Sequence, residues 1–281
     1  MAGPPPSNLT LQERLMALAQ TLQFAWFVGH VSLLLCTIRY GLSYLTFNYY
    51  SPWARFSYRT AFIAAAVTYG IVVYKGYRAR MRQGKNTGAL ALLADENVQY
   101  LIMAFVWLFF RQIPLAVLPF TVYSVFHVMT YTRATILPTI TPPPPGASPG
   151  AKPKASPLSD TIGNFVKNYY DQSMTLVAAL EIGLWFRILG SAFLFQKGSW
   201  ILFAVYTAFF RARYAQSSFV QSAVTFGTAR LDATFANQST PPAVRQGWET
   251  VKGLVRQAHE ATDVKKYVGA GQQGAGVKKA Q

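Results

Sequence analysis

Cysteine and carboxylates are what this chain has least of. Of 281 residues only 10 are acidic, against 26 lysines and arginines, and Cys36 is the sole cysteine. A single cysteine excludes an intrachain disulfide. Its place in an apolar run makes it a small hydrophobe. Histidine occurs at His30, His127 and His259, far apart, and no His or Cys pair has metal-ligand spacing. There is no glycine-rich phosphate loop and no G-x-S-x-G element. The one close acidic pair, Asp95–Glu96, consists of neighbours that point in different directions on a helix, which argues against a two-carboxylate site. Standing before an apolar run, the pair suits a helix N-terminus. The chain is therefore read as non-enzymatic, with no cofactor and no metal.

Charge as a whole is also scarce. Charged residues make up 13% of the chain, where a soluble domain carries about 25%. Hydrophobic residues reach 52% and aromatics 15%. Runs long enough to approach the ~17–25 residues of a membrane crossing recur. The fold class expected is all-α: a polytopic helical membrane protein with about four to six apolar segments arranged as hairpins, plus amphipathic terminal helices. The net charge of +16 lies mostly outside the apolar runs. Together with those runs it points to a lipid bilayer as partner, with no direct nucleic-acid binding expected.

Residues 1–21 read as an N-terminal cap and amphipathic helix. Thr10 and Glu13 form a capping box, and Leu11, Leu15, Leu18 and Leu22 share one face. No basic n-region precedes an apolar core, so the first spanning helix is expected to target the chain.

Residues 22–133 form a membrane region with two helical hairpins, built from runs 22–45, 60–74, 98–110 and 113–131. Residues 48–59 read as an aromatic interfacial turn. Residues 75–88 form a loop with Lys75, Arg78, Arg80, Arg82 and Lys85 and no acid. By the positive-inside rule that loop is cytosolic, and so is the N-terminus two crossings earlier. His30, inside the first run, is a functional candidate or a ring bonded to a backbone carbonyl of a neighbouring helix. The short runs are full spans or re-entrant hairpins, and the sequence leaves both open.

Residues 134–173 read as a proline-rich cytosolic linker centred on 141–157, with Ser148 and Ser156 each preceding a proline as candidate phosphorylation sites. Residues 174–213 form a third membrane hairpin turning at Lys197–Gly198. It carries Glu181 and Arg187, which at a spacing of six do not share a face. Residues 214–281 are a basic cytosolic tail with an amphipathic helix at 241–268, capped by Thr240 with Pro241 at its first position. Val244, Trp248, Val251 and Val255 form its apolar stripe, flanked by Lys252 and Arg256. These six residues are the candidate membrane-surface site; the alternative is a helix packed on the protein's own cytosolic face. Lys278–Lys279 resembles a dilysine retrieval signal with unusual spacing.

The order of particular residues carries a resemblance. It runs Leu92-Leu93-Ala94-Asp95, Tyr100-Leu101, Pro114, Pro119, Ser124, His127 and Thr130-Tyr131-Thr132. It continues with Glu181-Ile182, Gly198-Ser199, Tyr206, Arg211-Ala212-Arg213-Tyr214 and Ser217-Ser218. From Phe24 to Leu231 this resembles the transmembrane protein 33 family, which includes fungal pore-membrane proteins of the nuclear envelope. The proline-rich insertion and basic tail look like fungal-type additions. The residues taken as family motif or packing positions are Asp95, Tyr100, Pro114, Pro119, His127, Tyr131, Glu181, Arg213 and Tyr214. The resemblance implies residence in the endoplasmic reticulum membrane and nuclear envelope, with both termini cytosolic by the charge count. It implies shaping or scaffolding of curved membrane and support of nuclear pore organisation, with reticulon-type proteins and nucleoporins as partners. The alternative is a small-solute transporter or channel using intramembrane polar residues such as Glu181 and His127.

Overall fold

The computed structural model describes residues 5–6, 8–84, 88–142, 156–237 and 240–261. Several expectations lie outside these residues: Lys85 of the basic loop, Ser148, most of the proline-rich segment, helix 241–268 beyond Ala261, and Lys278–Lys279.

The described residues form helices and no strand. Helix α1 (Leu11–Ala19) opens with the capping box in both directions: the Thr10 side chain accepts from the Glu13 backbone, and the Glu13 carboxylate accepts from Thr10. Then come α2 (Leu22–Leu45), α3 (Pro52–Arg82), α4 (Ala89–Leu93) and α5 (Glu96–Phe109). Ser51 caps α3 ahead of Pro52, and Asp95 caps α5. Proline is suited to the first helical turn, where its missing N–H has no partner to lose. A 3-10 turn at Pro114–Ala116 leads into α6 (Val117–Tyr131), followed by a π segment at Thr132–Ile136 and α7 (Leu137–Ile140). Pro138 cannot donate to the carbonyl one helical turn back, and its ring crowds that carbonyl. The widened turn just before it fits that conflict. The chain continues with α8 (Pro157–Phe193), α9 (Ser199–Gln216), α10 (Ser218–Phe235) and α11 (Pro242–Ala261).

Four stretches are long and apolar enough to cross a membrane: Leu22–Leu45, Pro52–Arg82, Pro114–Ile140 and Pro157–Phe193. Helix α5 has 14 residues, about 21 Å at ~1.5 Å per residue, against an apolar core of ~30 Å. With the four spans and the shorter α5 and α9, the chain is a polytopic all-α membrane protein.

Three expected boundaries move. The run at 60–74 is the middle of the 31-residue α3, so Lys75 to Arg82 sit on its last turns rather than in a loop. Trp53 and Tyr58, placed in an interfacial turn, belong to the same helix. The linker at 134–173 shrinks from both ends. Residues 134–140 prolong the helical run after α6, and 157–173 are the first part of α8. Low complexity masked this second start. Ser156 and Pro157 are themselves a helix-start signal: the Ser156 hydroxyl accepts from the Ser159 backbone N–H, and Pro157 occupies the first position.

The chain divides into two units, residues 1–223 and 224–281. In the first, α3 packs on α2 and α5, α6 lies against α2 and α8, and α9 pairs with α8 and touches α5. Tyr58, Phe62, Trp107, Leu184, Ile188, Leu202 and Tyr206 form the core between them. Helix α3 buries Ala54, Ala61 and Ala65 completely. Such small residues let helices approach closely where lipid removes the usual hydrophobic drive. At Gly29 on α2 an added Cβ would stand 2.5 Å from Thr68 Cγ2 on α3. On α2, Leu33 and Tyr40 face inward while Leu35, Ile38 and Leu42 are exposed, as a lipid-facing stripe requires. In the second unit, the Trp248 ring lies 5.3 Å from Phe235, and its Nε1 donates to Asp232 at 2.7 Å.

Candidate functional site

Glu181 sits on α8, Arg213 on α9, and both are almost fully buried. Arg213 Nε reaches Glu181 Oε1 at 3.1 Å and Oε2 at 3.3 Å. Its Nη1 donates to Glu96 Oε1 at 2.6 Å, and its Nη2 to the Tyr123 hydroxyl at 3.2 Å. The guanidinium carbon lies 5.3 Å from the centre of the Tyr100 ring. The Tyr100 hydroxyl donates to the Glu181 carboxylate, and Tyr206 donates to the Glu181 carbonyl at 3.1 Å. One arginine thus joins α5, α6, α8 and α9, using its planar fork in three directions at once. Two carboxylates face one guanidinium.

The positions of the partners follow from helix geometry. Glu96 and Tyr100 are four apart on α5, and Tyr206 and Arg213 are seven apart on α9, so each pair shares a face. Glu181 and Arg187 do not pair: Arg187 donates to Ser191 one turn on. Asp95 stands outside the cluster, as the α5 cap bonded to Arg80 of α3. Its partial burial works to raise the carboxyl, but hydrogen bonds from Arg80 and Asn97 overcome this and hold it below the usual carboxylate range.

A second polar seam joins α2 to α6. His30 Nδ1 lies 2.9 Å from Ser124 Oγ, so its partner is a side chain and not the backbone carbonyl of one sequence reading. Trp26, His30 and His127 form a ring cluster with centroids 4.6–4.9 Å apart. Tyr131 stacks on Phe27 at 4.8 Å. Ser124, His127 and Tyr131 fall at i, i+3 and i+7, so the motif on α6 is one helix face turned to α2. Pro114 opens the 3-10 turn, and Pro119 is buried in the first turn of α6. Tyr214 is half-buried, and its carbonyl accepts from Gln221 at 2.8 Å.

At the opposite end of the bundle Arg59 donates to the Trp107 and Leu108 carbonyls, which α5 leaves unpaired at its C-terminus. Arg111 joins Gln196 and Ser199 there, tying the turn before α6 to the α8–α9 turn.

On α11, Val244, Val251 and Val255 are exposed. Trp248 and Lys252 instead turn to Asp232 of α10, the lysine at 2.8 Å. Those two hydrogen bonds lower the Asp232 carboxyl below its ordinary range, and Asp232 with Glu249 raises Lys252. Arg256 lies 3.5 Å from Glu260. Thr240 does not cap this helix: its hydroxyl donates to the Thr234 carbonyl, and the first accepting carbonyl is that of Pro241. Pro242, one place later than expected, begins the helix.

Sequence reasoning missed Glu96, Tyr123 and Tyr206 as site residues. The seven-residue interval from Tyr206 to Arg213 was a usable signal. Nothing in the chain marks Tyr123 as a partner of Arg213, because 90 residues separate them. Among the described residues no group of three or more His, Cys, Asp or Glu is placed to hold a metal ion.

This is a polytopic helical membrane protein whose helices are joined by buried polar clusters, one of them ionic. The family model described as Transmembrane protein 33/Nucleoporin POM33 matches residues 4–260, and the chain belongs to that family. It is 56% identical over 276 residues to Nucleoporin POM33 of Chaetomium thermophilum, covering 95% of this chain and 96% of that protein. It is 33% identical over 248 residues to Tetra-spanning protein 1 of Schizosaccharomyces pombe, covering 87% of each. It is 29% identical over 264 residues to Pore membrane protein of 33 kDa of Saccharomyces cerevisiae, covering 90% of this chain and 89% of that protein. No solved structure matches the chain.

Proposed function

We propose that this protein is a non-enzymatic component of the endoplasmic reticulum membrane and nuclear envelope that shapes or scaffolds curved membrane and supports nuclear pore complex organisation. The names of its relatives support the pore and reticulum assignment. Nucleoporins and reticulon-type proteins are its proposed partners, and a cytosolic location of both termini is part of the proposal.

The observation that carries the curvature reading is the unequal length of the apolar helices. Four are long enough to span, while α5 is a turn or two short of a crossing and α9 ends in Arg211 and Arg213. Short inserted helices beside full spans add unequal area to the two leaflets. The exposed apolar stripe of α11, Val244, Val251 and Val255, supports a further in-plane contribution, with Trp248, Lys252 and Arg256 on the same helix.

The transport alternative finds less support, since the hydrogen bonds of Glu181 go to three neighbouring side chains that tie helices together. Reconstitution tests the proposal. The purified chain is expected to tubulate liposomes or to prefer small vesicles to large ones, and indifference to vesicle size without tubulation refutes wedge action. Accessibility labelling of cysteines introduced along 98–131 and 174–210 separates full spans from re-entrant hairpins.

A further inference from the structure

The ionic cluster forms one side of a cleft of about 280 Å³ between α3, α5, α6 and α8, near the lower end of small-ligand pockets (~300–1,000 Å³). Aromatic rings make its walls. Tyr69 stacks parallel on Tyr100 at 5.3 Å, and Tyr123 stands edge-on to Tyr100 at 5.3 Å. Across the cleft, Phe126 and Tyr170 meet at right angles with centroids 5.8 Å apart. The Glu96 carboxylate, about half exposed, stands at the rim. No lysine or arginine lines the cleft.

Two independent observations agree on the charge of a ligand. Aromatic faces attract cations, most strongly where water is excluded. The Glu96 carboxylate, bonded to Arg213 through one oxygen and about half exposed, is the acidic side chain lining the cleft. The nearby Arg80 is taken by Asp95. A carboxylate thus stands at the rim of an aromatic-walled space.

Depth argues for a lipid. Met174 and Tyr170 line the cleft where α8 passes from Asn168, Asp171 and Gln172 to its apolar run, which is headgroup level for a spanning helix.

We propose that this cleft binds a quaternary ammonium group, the choline headgroup of a phospholipid in the adjoining leaflet. Glu96 supplies the charge, and the Tyr123, Phe126 and Tyr170 rings supply the cage. Tyr100 lies behind that cage, with the Arg213 guanidinium over its ring and Tyr69 stacked on it.

The test uses the full chain in detergent, titrated by calorimetry with dihexanoylphosphatidylcholine, dihexanoylphosphatidylglycerol and choline chloride. The phosphatidylcholine is expected to bind and the phosphatidylglycerol not to bind. Glu96→Gln and Tyr170→Leu are each expected to weaken binding at least about tenfold, while Tyr170→Phe retains it. Glu96 and Tyr170 are half exposed, and a thermal melt matching the parent confirms that each variant is folded. Comparable binding of the phosphatidylglycerol, or unchanged affinity in folded Glu96→Gln, overturns the site. Choline binding as tightly as the phosphatidylcholine keeps the ammonium site and overturns the lipid as its source. None of these outcomes depends on whether the protein bends membranes.

Discussion

Replacing Glu181 by alanine is the sharpest test of the bundle's architecture. The side chain is 1% exposed, and its loss strips Arg213 Nε of both acceptors and the Tyr100 hydroxyl of its carboxylate. Arg213, itself 3% exposed, would keep only Glu96 and Tyr123. Breaking one partner of a buried ion pair costs about 3–5 kcal/mol, because the remaining charge stays buried. At about 2–4 °C per kcal/mol for a chain of this size, the apparent melting temperature should fall by about 6–20 °C. Glu181→Gln keeps the volume and one acceptor, and Glu96 still balances Arg213, so its loss should be about 1–3 kcal/mol. The double variant Glu181→Ala/Arg213→Ala should cost less than the sum of the singles, since neither charge is left alone. The assay is tryptophan fluorescence during heating in detergent, with size-exclusion recovery as a second readout. A Glu181→Ala melt within a degree or two of the parent, or additive singles, would show that the cluster does not hold the helices together.

Two further predictions concern other contacts. Gly29→Val should wedge α2 from α3 at the 2.5 Å approach to Thr68 and cost about 1–3 kcal/mol; adding Thr68→Ala should recover part of that in the same melt, and no recovery would contradict the packing. In the tail, Asp232 has its folded carboxyl lowered by Lys252 and Trp248. Its contribution is therefore present above the unfolded value near 3.8 and is lost as pH falls through the lower folded value. Amide protection across 242–261, measured relative to the intrinsic exchange rate at each pH, should thus fall in acid, and Asp232→Asn should already show the lower protection at neutral pH and flatten the dependence. A parent helix equally protected on both sides of that range would refute the link.

The span at 22–45, the apolar part of α8 inside the expected hairpin at 174–213, and the capping box at Thr10 were legible because each is written in neighbouring residues. Periodicity and cap chemistry act within a few turns, so a local string suffices to declare them. The start of α8 at Pro157 was hidden by the composition around it, although its Ser-Pro signal is local too. The end of α3 was hidden by its charges, which hydropathy reads as loop while the backbone continues as helix. The ionic cluster lay beyond such reading altogether. Arg213 chooses Glu181, 32 residues away, and Glu96, 117 away, over any neighbour on its own helix.

From its sequence alone, then, this protein was bound to be helical and polytopic, because the scarcity of charge and the length of its apolar runs leave it no other solvent than lipid. The order of Asp95, Tyr100, His127, Glu181 and Arg213 also pointed to its family. Only the tertiary structure decided which of those residues meet. In an apolar medium a buried charge or hydroxyl must find its partner on another helix, and that choice is made by packing, which brings together residues far apart in the chain.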